Sequence, residues 1–110
     1  MNLVHCKRAP YTVYIGRGGP LGNPFSHLPL NKTRAQVQAP TVNVAVEWCD
    51  AWARGNTTWD SVVPSAQRER FLRAVDMLED SDALGCYCEP GAPCHGLVIM
   101  RLWAERKGRS

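Results

Sequence analysis

The sequence predicts a small single-domain α/β protein, with a short, mostly parallel sheet packed by three or four helices. Three observations lead there. The chain has 110 residues, enough for one hydrophobic core and too few for two. Short runs of strand character and longer runs of helical periodicity follow in the order strand, strand, loop, helix, helix, strand, helix. Two loops of unusual composition each follow a strand, as ligand loops do beyond the C-terminal ends of parallel strands.

Each element has a local reason. Residues 3–6 form a short apolar-leaning strand. Residues 11–15, Tyr-Thr-Val-Tyr-Ile, are the clearest strand, being aromatic and β-branched. Residues 16–25 hold four glycines and two prolines, so they form neither helix nor regular strand. Thr33 caps one helical turn over residues 33–38, which Pro40 interrupts. Thr41 caps the main helix, which runs to Arg54 and is ended by Gly55 and Asn56. Its buried face carries Val44, Trp48, Ala51 and Trp52 at helical spacing. Residues 56–63 connect, with Trp59 as an anchor. Ser65 caps a helix over residues 66–78 whose apolar face is Phe71, Leu72, Val75 and Leu78. A turn at 80–82 leads into a buried strand over 83–88. Cys94 or His95 opens the last helix, which runs to about Arg106, and residues 107–110 read as a frayed tail.

Composition excludes several classes. The formal charge is only +3, and its one local excess is C-terminal (Arg101, Arg106, Lys107, Arg109). That patch weakly permits nucleic-acid contact, although a solvated chain end has the same composition. No stretch is long and apolar enough for a membrane span, and the N-terminus lacks the apolar core of a signal peptide. The chain carries five cysteines. That odd number, with Cys86 and Cys88 too close to pair, argues against a disulfide framework. A soluble protein of the reducing cytoplasm is expected.

Two segments carry chemistry. In residues 16–25 the backbone around Gly16, Gly18 and Gly22 can fold its N–H groups about an anion. Arg17 adds a planar charged fork for phosphate or carboxylate. Asn23, between Gly22 and Pro24, can pin the loop or read a ligand. The glycine spacing fits neither a P-loop nor a dinucleotide fingerprint. A purely structural turn, its glycines taking positive φ, is the alternative.

The second segment runs Leu-Gly-Cys-Tyr-Cys-Glu-Pro-Gly-Ala-Pro-Cys-His-Gly from Leu84 to Gly96. Cys86 and Cys88 leave the same face of a strand, and Tyr87 leaves the other. Three thiols and an imidazole (Cys86, Cys88, Cys94, His95) could form a tetrahedral zinc site, though one residue between the first pair is tight spacing. Alternatively, Cys94 at a helix N-terminus is favoured as thiolate, making Cys94 and His95 a reactive pair. The same helix end could simply hold an anion. Cys86 and Cys49 read as core thiols. His5 and Cys6 read as strand packing, His27 as a loop residue near the glycines, and Glu89 as a base that could orient His95.

Together the two segments resemble a known but uncharacterised family, the domain-of-unknown-function family 4326, found in phages and bacteria. The resemblance rests on Tyr14-Ile15-Gly16-Arg17, on Gly22-Asn23-Pro24-Phe25, on Thr33-Arg34 ahead of Trp52, and on Leu84 to Gly96. Tyr87 stands where the family pattern has tryptophan, and one extra residue separates Pro90 from Cys94. The resemblance implies a small α/β fold and a phage or actinobacterial setting, hence a host-cell cytoplasm if phage-encoded. It implies no established activity.

The leading expectation is therefore a small anionic ligand, such as a nucleotide, bound where Arg17, Asn23, Cys88, Cys94 and His95 converge. The first rival is a zinc module built on Cys86, Cys88, Cys94 and His95. The second is a phage protein that binds a host factor without catalysis.

Overall fold

The computed structural model describes residues 1–88 and 92–108. Three parallel strands form the main sheet: β1 (Asn2–His5), β2 (Val13–Tyr14) and β5 (Ala83–Cys86), in the order β1-β5-β2. Register runs Asn2 to Ala83 through His5 to Cys86 on one side, and Val13 to Leu84 and Tyr14 to Gly85 on the other. The central strand carries the most apolar run and is buried over Leu84, Gly85 and Cys86, as expected of a parallel strand covered on both faces. A second parallel pair joins β3 (Phe25–Ser26) to β4 (Val37–Gln38).

The packing helices among the described residues are α1 (Val42–Ala53), α2 (Ser65–Asp76) and α3 (Gly96–Gly108), with a 3-10 turn at Leu30–Lys32. The radius of gyration is 13.2 Å, and a single domain of this size should measure about 13 Å. The protein is thus the small single-domain α/β fold with short parallel sheets that the sequence predicts.

β1 and β2 are consecutive in sequence, yet β5 lies between them. The seven connecting residues must therefore pass from one edge of β5 to the other. A Cβ placed on Gly85 would fall 2.6 Å from the Tyr11 ring, so the crossing is close-packed and leaves room only for glycine on that face. Tyr87, on the same face, meets His5 and Tyr14 edge to face. Leu84 and Cys86 point the other way, into the core.

The helices start and stop largely for the anticipated reasons. Thr41 caps α1, its side-chain oxygen accepting from the Val44 amide at 3.1 Å. Gly55, at φ +105°, ends it. The Gly55 amide bonds to Trp52 O and the Asn56 amide to Ala51 O, which completes a Schellman motif. The buried stripe of α1 is Ala45, Cys49, Trp52 and Ala53, with Val44 and Trp48 half-buried. α2 buries Phe71 and Val75, begins at Ser65 itself with Pro64 as its cap, and stops at Asp76. α3 continues to Gly108, beyond the end expected near Arg106. Residues 109–110 of the anticipated tail lie outside the described residues.

The helical turn expected over residues 33–38 is not formed. The amides of Gln36 and Val37 donate to Pro24 O, and that of Ala39 to Ser26 O, so this segment is spent on pairing with β3. Thr33 accepts from the Ala35 amide at 3.2 Å, a local turn rather than a helix cap. The strand expected at 11–15 is likewise shorter, although the Thr12 and Ile15 amides continue its bonding to β5.

Phe25 organises the core. It is fully buried and sits edge to face against Trp59 (4.8 Å), Trp48 (5.9 Å) and Trp52 (6.4 Å), while Trp52 packs on Phe71 at 5.3 Å. Such pairs each add about 0.5–1.5 kcal/mol beyond burial. Ion pairs tie the periphery. Arg106 of α3 grips Asp76 of α2 through both carboxylate oxygens, and Arg54 of α1 reaches Glu105 of α3 at 2.7 Å. The C-terminal cations are thus partly engaged within the fold; Arg101 also lies 3.9 Å from Asp50.

Phe25→Ala should cost about 3–5 kcal/mol of unfolding free energy, the range for removing a buried aromatic, read from urea denaturation. Acid sensitivity should concentrate partly at Asp82. Its carboxylate accepts from the Glu79 amide and the Thr12 hydroxyl, both at 2.7 Å, which lowers its pKa below the ordinary value. A carboxylate depressed on folding stabilises above its unfolded pKa, and that contribution disappears as pH falls through the folded one. Asp82→Asn should therefore be less stable than the parent at pH 6, and the gap should close as denaturation is repeated toward pH 2.5.

Candidate functional site

β1, β2 and β5 are parallel, so their C-terminal ends lie at one edge of the sheet. The glycine-rich loop leaves β2 there, and the cysteine segment leaves β5 beside it. Between them lies an open cleft of about 820 Å³. Its walls include Arg17, Asn23, Cys88, Cys94 and His95, the residues the sequence expected to meet, together with Gly16 and Cys86. Gly18 and Gly22 are not among its lining residues; they shape the loop behind it.

The loop is tightly built. Gly18 has φ +101°, and a Cβ there would also fall 2.9 Å from the Arg34 guanidinium. A Cβ on Gly22 would fall 2.9 Å from Arg17 Cα and 3.0 Å from Gly16 O, a backbone-on-backbone approach that only glycine permits. Arg17 donates through Nε to Asn23 O (3.1 Å) and through Nη2 to Phe25 O (2.7 Å). These bonds use one edge of the guanidinium and leave the Nη1 edge outside them. Asn23 is buried. Its Oδ1 accepts from the Phe25 amide at 2.9 Å, and its Nδ2 donates to Ala45 O of α1 at 3.4 Å. Asn23 thus joins the loop to the first helix.

His95 closes the loop from the other side. Its Nε2 lies 2.8 Å from Ile15 O and 3.0 Å from Leu21 O. Both partners are acceptors, so Nε2 carries the proton and is shared between them. Burial pushes the imidazole below its ordinary pKa, which keeps it neutral near pH 7. A Cβ on the adjacent Gly96 would fall 2.3 Å from the Leu3 side chain, so the start of α3 is pressed against the sheet. Together these contacts put Cys94 at a defined place.

The thiols of Cys86, Cys88 and Cys94 lie within 4.8 Å of one another, with Cys86 Sγ and Cys94 Sγ 3.4 Å apart. The Gly96 amide donates to Cys94 Sγ at 3.4 Å. This three-cysteine cluster could hold a metal ion. No ring nitrogen of His95 joins the group, because the imidazole is turned to the glycine loop. The four-ligand set drawn from sequence is therefore three thiols plus a histidine that serves the backbone.

Crowded thiols ionise unequally. Cys88 is the least buried of the three, and it can be the thiolate that the others stabilise. Hydrogen bonding from Cys94 and Cys86, with the nearby Arg17 charge, brings its pKa down to about 6 against the opposing effect of burial. The same sharing, and burial, push Cys94 up, while burial raises Cys86. The last helix begins at Gly96 and not at Cys94 or His95 as expected, so Cys94 stands two residues ahead of it, with its thiol against Cys86 Sγ and the Gly96 amide donating to it. Cys49 is a core thiol pushed up by burial. Glu89, considered as a base, lies outside the described residues.

Two cleft cations escaped the sequence reading. Lys32 and Arg34 line the same cleft, carried there by the 3-10 turn and the β3–β4 pairing. Assigning residues 33–38 to a helix concealed them. The signal in the sequence is the Thr33-Arg34 pair, which is part of the resemblance. His27 also lines the cleft.

With this geometry the chain belongs to a family defined by sequence and not by activity, the domain of unknown function DUF4326, whose pattern matches residues 2–105. Comparison with curated proteins and with solved structures finds no match. No helix among the described residues is long and apolar enough to cross a membrane.

Asn23→Ala should cost about 1–3 kcal/mol, because it strips the buried Phe25 amide of its acceptor and removes the loop's tie to Ala45 O. Thermal unfolding should show this as a clear fall in Tm. Gly22→Ala should fall in the same direction through its backbone clash, whereas Gly108→Ala, which meets nothing within 4 Å, should not lower it.

Proposed function

We propose that the cleft binds a small anionic ligand carrying phosphate or a similar group, of about the size of a nucleotide. The observation that carries this reading is the charge of the wall. Arg17, Lys32 and Arg34 all line it, and no aspartate or glutamate does among the described residues. On a chain of only +3 net charge, three cations gathered on a wall that carries no carboxylate are a local concentration, and a concave wall focuses such a field.

Size and chemistry support the same reading. About 820 Å³ falls within the usual range for small-molecule sites, about 300–1,000 Å³. Half-buried Arg17 is anchored by two carbonyls, so its charge is pre-positioned and little is lost in ordering it on binding. Tyr87, 57 % exposed, stands at the wall and offers an aromatic face to a base or similar ring. In this reading Cys94 and His95 shape the site: one lies in its floor, and the other locks the glycine loop.

Titration calorimetry with inorganic phosphate and with a nucleoside monophosphate tests the proposal. Saturable binding is expected, weakened by added salt. The double variant Lys32→Ala/Arg34→Ala should weaken it by at least about tenfold, or about 1.4 kcal/mol. Both side chains are exposed, so the fold should persist. No saturable binding of either probe, or binding indifferent to the double variant, would overturn the reading.

A further inference from the structure

We infer that Cys86, Cys88 and Cys94 bind one zinc ion through three thiolates, with the fourth coordination position open to the cleft. The inference stands on where the three sulfurs lie and not on the anion reading above.

Geometry comes first. A tetrahedral zinc with Zn–S of about 2.3 Å holds its sulfurs about 3.8 Å apart. Here one pair is already at 3.4 Å, and all pairs fall within 4.8 Å. Bringing three sulfurs to that spacing asks for a shift of about 1 Å or less, within reach of side-chain rotation. The single residue between Cys86 and Cys88, tight for a pair of ligands, works because β5 ends at Cys86 and the chain bends at Tyr87, leaving the Cys88 thiol within 4.8 Å of the other two. The remaining cysteines do not join the cluster: Cys49 is in the core, and Cys6 follows β1.

Charge comes second. Binding forms three Zn–S bonds and releases to solvent whatever protons the three thiols still carry, up to three, as their S–H bonds break. A three-thiolate zinc centre carries one net negative charge, and the protein supplies compensation in place. The Gly96 amide points at Cys94 Sγ, and half-buried Arg17 lines the same cleft as the three thiols. Amide donors to metal-bound sulfur are the outer contacts that orient and tune such ligands.

The open position is third. All three cysteines line the cleft, and His95, the nearest imidazole in sequence, spends Nε2 on Ile15 O and Leu21 O. Three protein ligands and an exchangeable fourth position are the arrangement of zinc sites that act on or bind a ligand, whereas closed four-ligand sites are structural.

The test uses the full chain, produced with zinc in the medium and purified under reducing conditions without chelator. Elemental analysis should find one zinc per chain. X-ray absorption at the zinc edge should show three sulfur neighbours and one oxygen or nitrogen, without imidazole scattering. Replacement by Co²⁺ should give sulfur-to-cobalt charge transfer in the near ultraviolet and the visible bands of a four-coordinate ion. Cys88→Ser, the least buried position, should cost at least tenfold in Co²⁺ affinity and lose part of the charge-transfer intensity. The wild-type absorption measurement decides the ligand count even if a cysteine variant fails to fold. A folded, reduced protein that carries no zinc and takes up no Co²⁺ overturns the proposal. So does a centre with four sulfurs, fewer than three, or a histidine. Phosphate titration of the chelator-stripped protein reports on the anion reading separately, so either proposal can fail alone.

Discussion

Parallel pairing on both sides of β5 is the constraint on which the rest depends. β5 is bonded to β1 along one edge and to β2 along the other. Because all three strands run the same way, the chain must emerge from β2 and from β5 at the same edge of the sheet. Two loops separated by some 70 residues of sequence become neighbours there. The arrangement also dictates the crossing between β1 and β2, and with it the glycine at position 85 under Tyr11. Any larger residue there would push the crossing segment off β5 and release β2, and the glycine loop that follows β2 would go with it.

Within that frame a few polar side chains convert adjacency into geometry. His95 holds the carbonyls of Ile15 and Leu21, Asn23 ties the loop to α1, and Arg17 ties its two ends through Asn23 O and Phe25 O. Each satisfies backbone groups that a glycine-rich loop cannot satisfy by regular pairing. Phe25 links this loop to the aromatic core, its ring among Trp48, Trp52 and Trp59 and its carbonyl on Arg17. The loop is therefore not a flexible cover over the sheet. It is fastened at several points, and the cation at its centre is held in place before any ligand arrives.

The electrostatics of the site come from opposing tendencies in a small volume. Burial disfavours charge on the three thiols of the cluster and on Arg17, yet an anion at Cys88 and a cation at Arg17 stabilise each other. Partly exposed ion pairs at the periphery fasten helices to each other, Arg106 to Asp76 and Arg54 to Glu105, and the more buried Arg68 pairs with Asp60. That separates the cations used to hold the fold from those left facing the cleft.

Much of this was legible in the residues alone. The α/β class, the main helix with its Thr41 cap and Gly55 stop, the apolar face of α2 and the buried strand at Leu84–Cys86 all follow from period, capping and turn chemistry, which act over a few residues. The strand expected over 83–88 ends at Cys86, and Cys88 reaches the other thiols from beyond it. The β3–β4 pair was not legible: residues 33–38 satisfy a helical turn just as well until Pro24 O and Ser26 O appear beside them, and those partners lie about ten residues away. The swing of His95 away from the thiols, the meeting of Cys88 and Cys94 with Cys86, and the arrival of Lys32 and Arg34 at the cleft have the same origin. Each depends on which atoms lie within a few ångströms across the fold. Local sequence chemistry determined which elements form and which residue types are reactive; only tertiary packing decided which of those residues face one another.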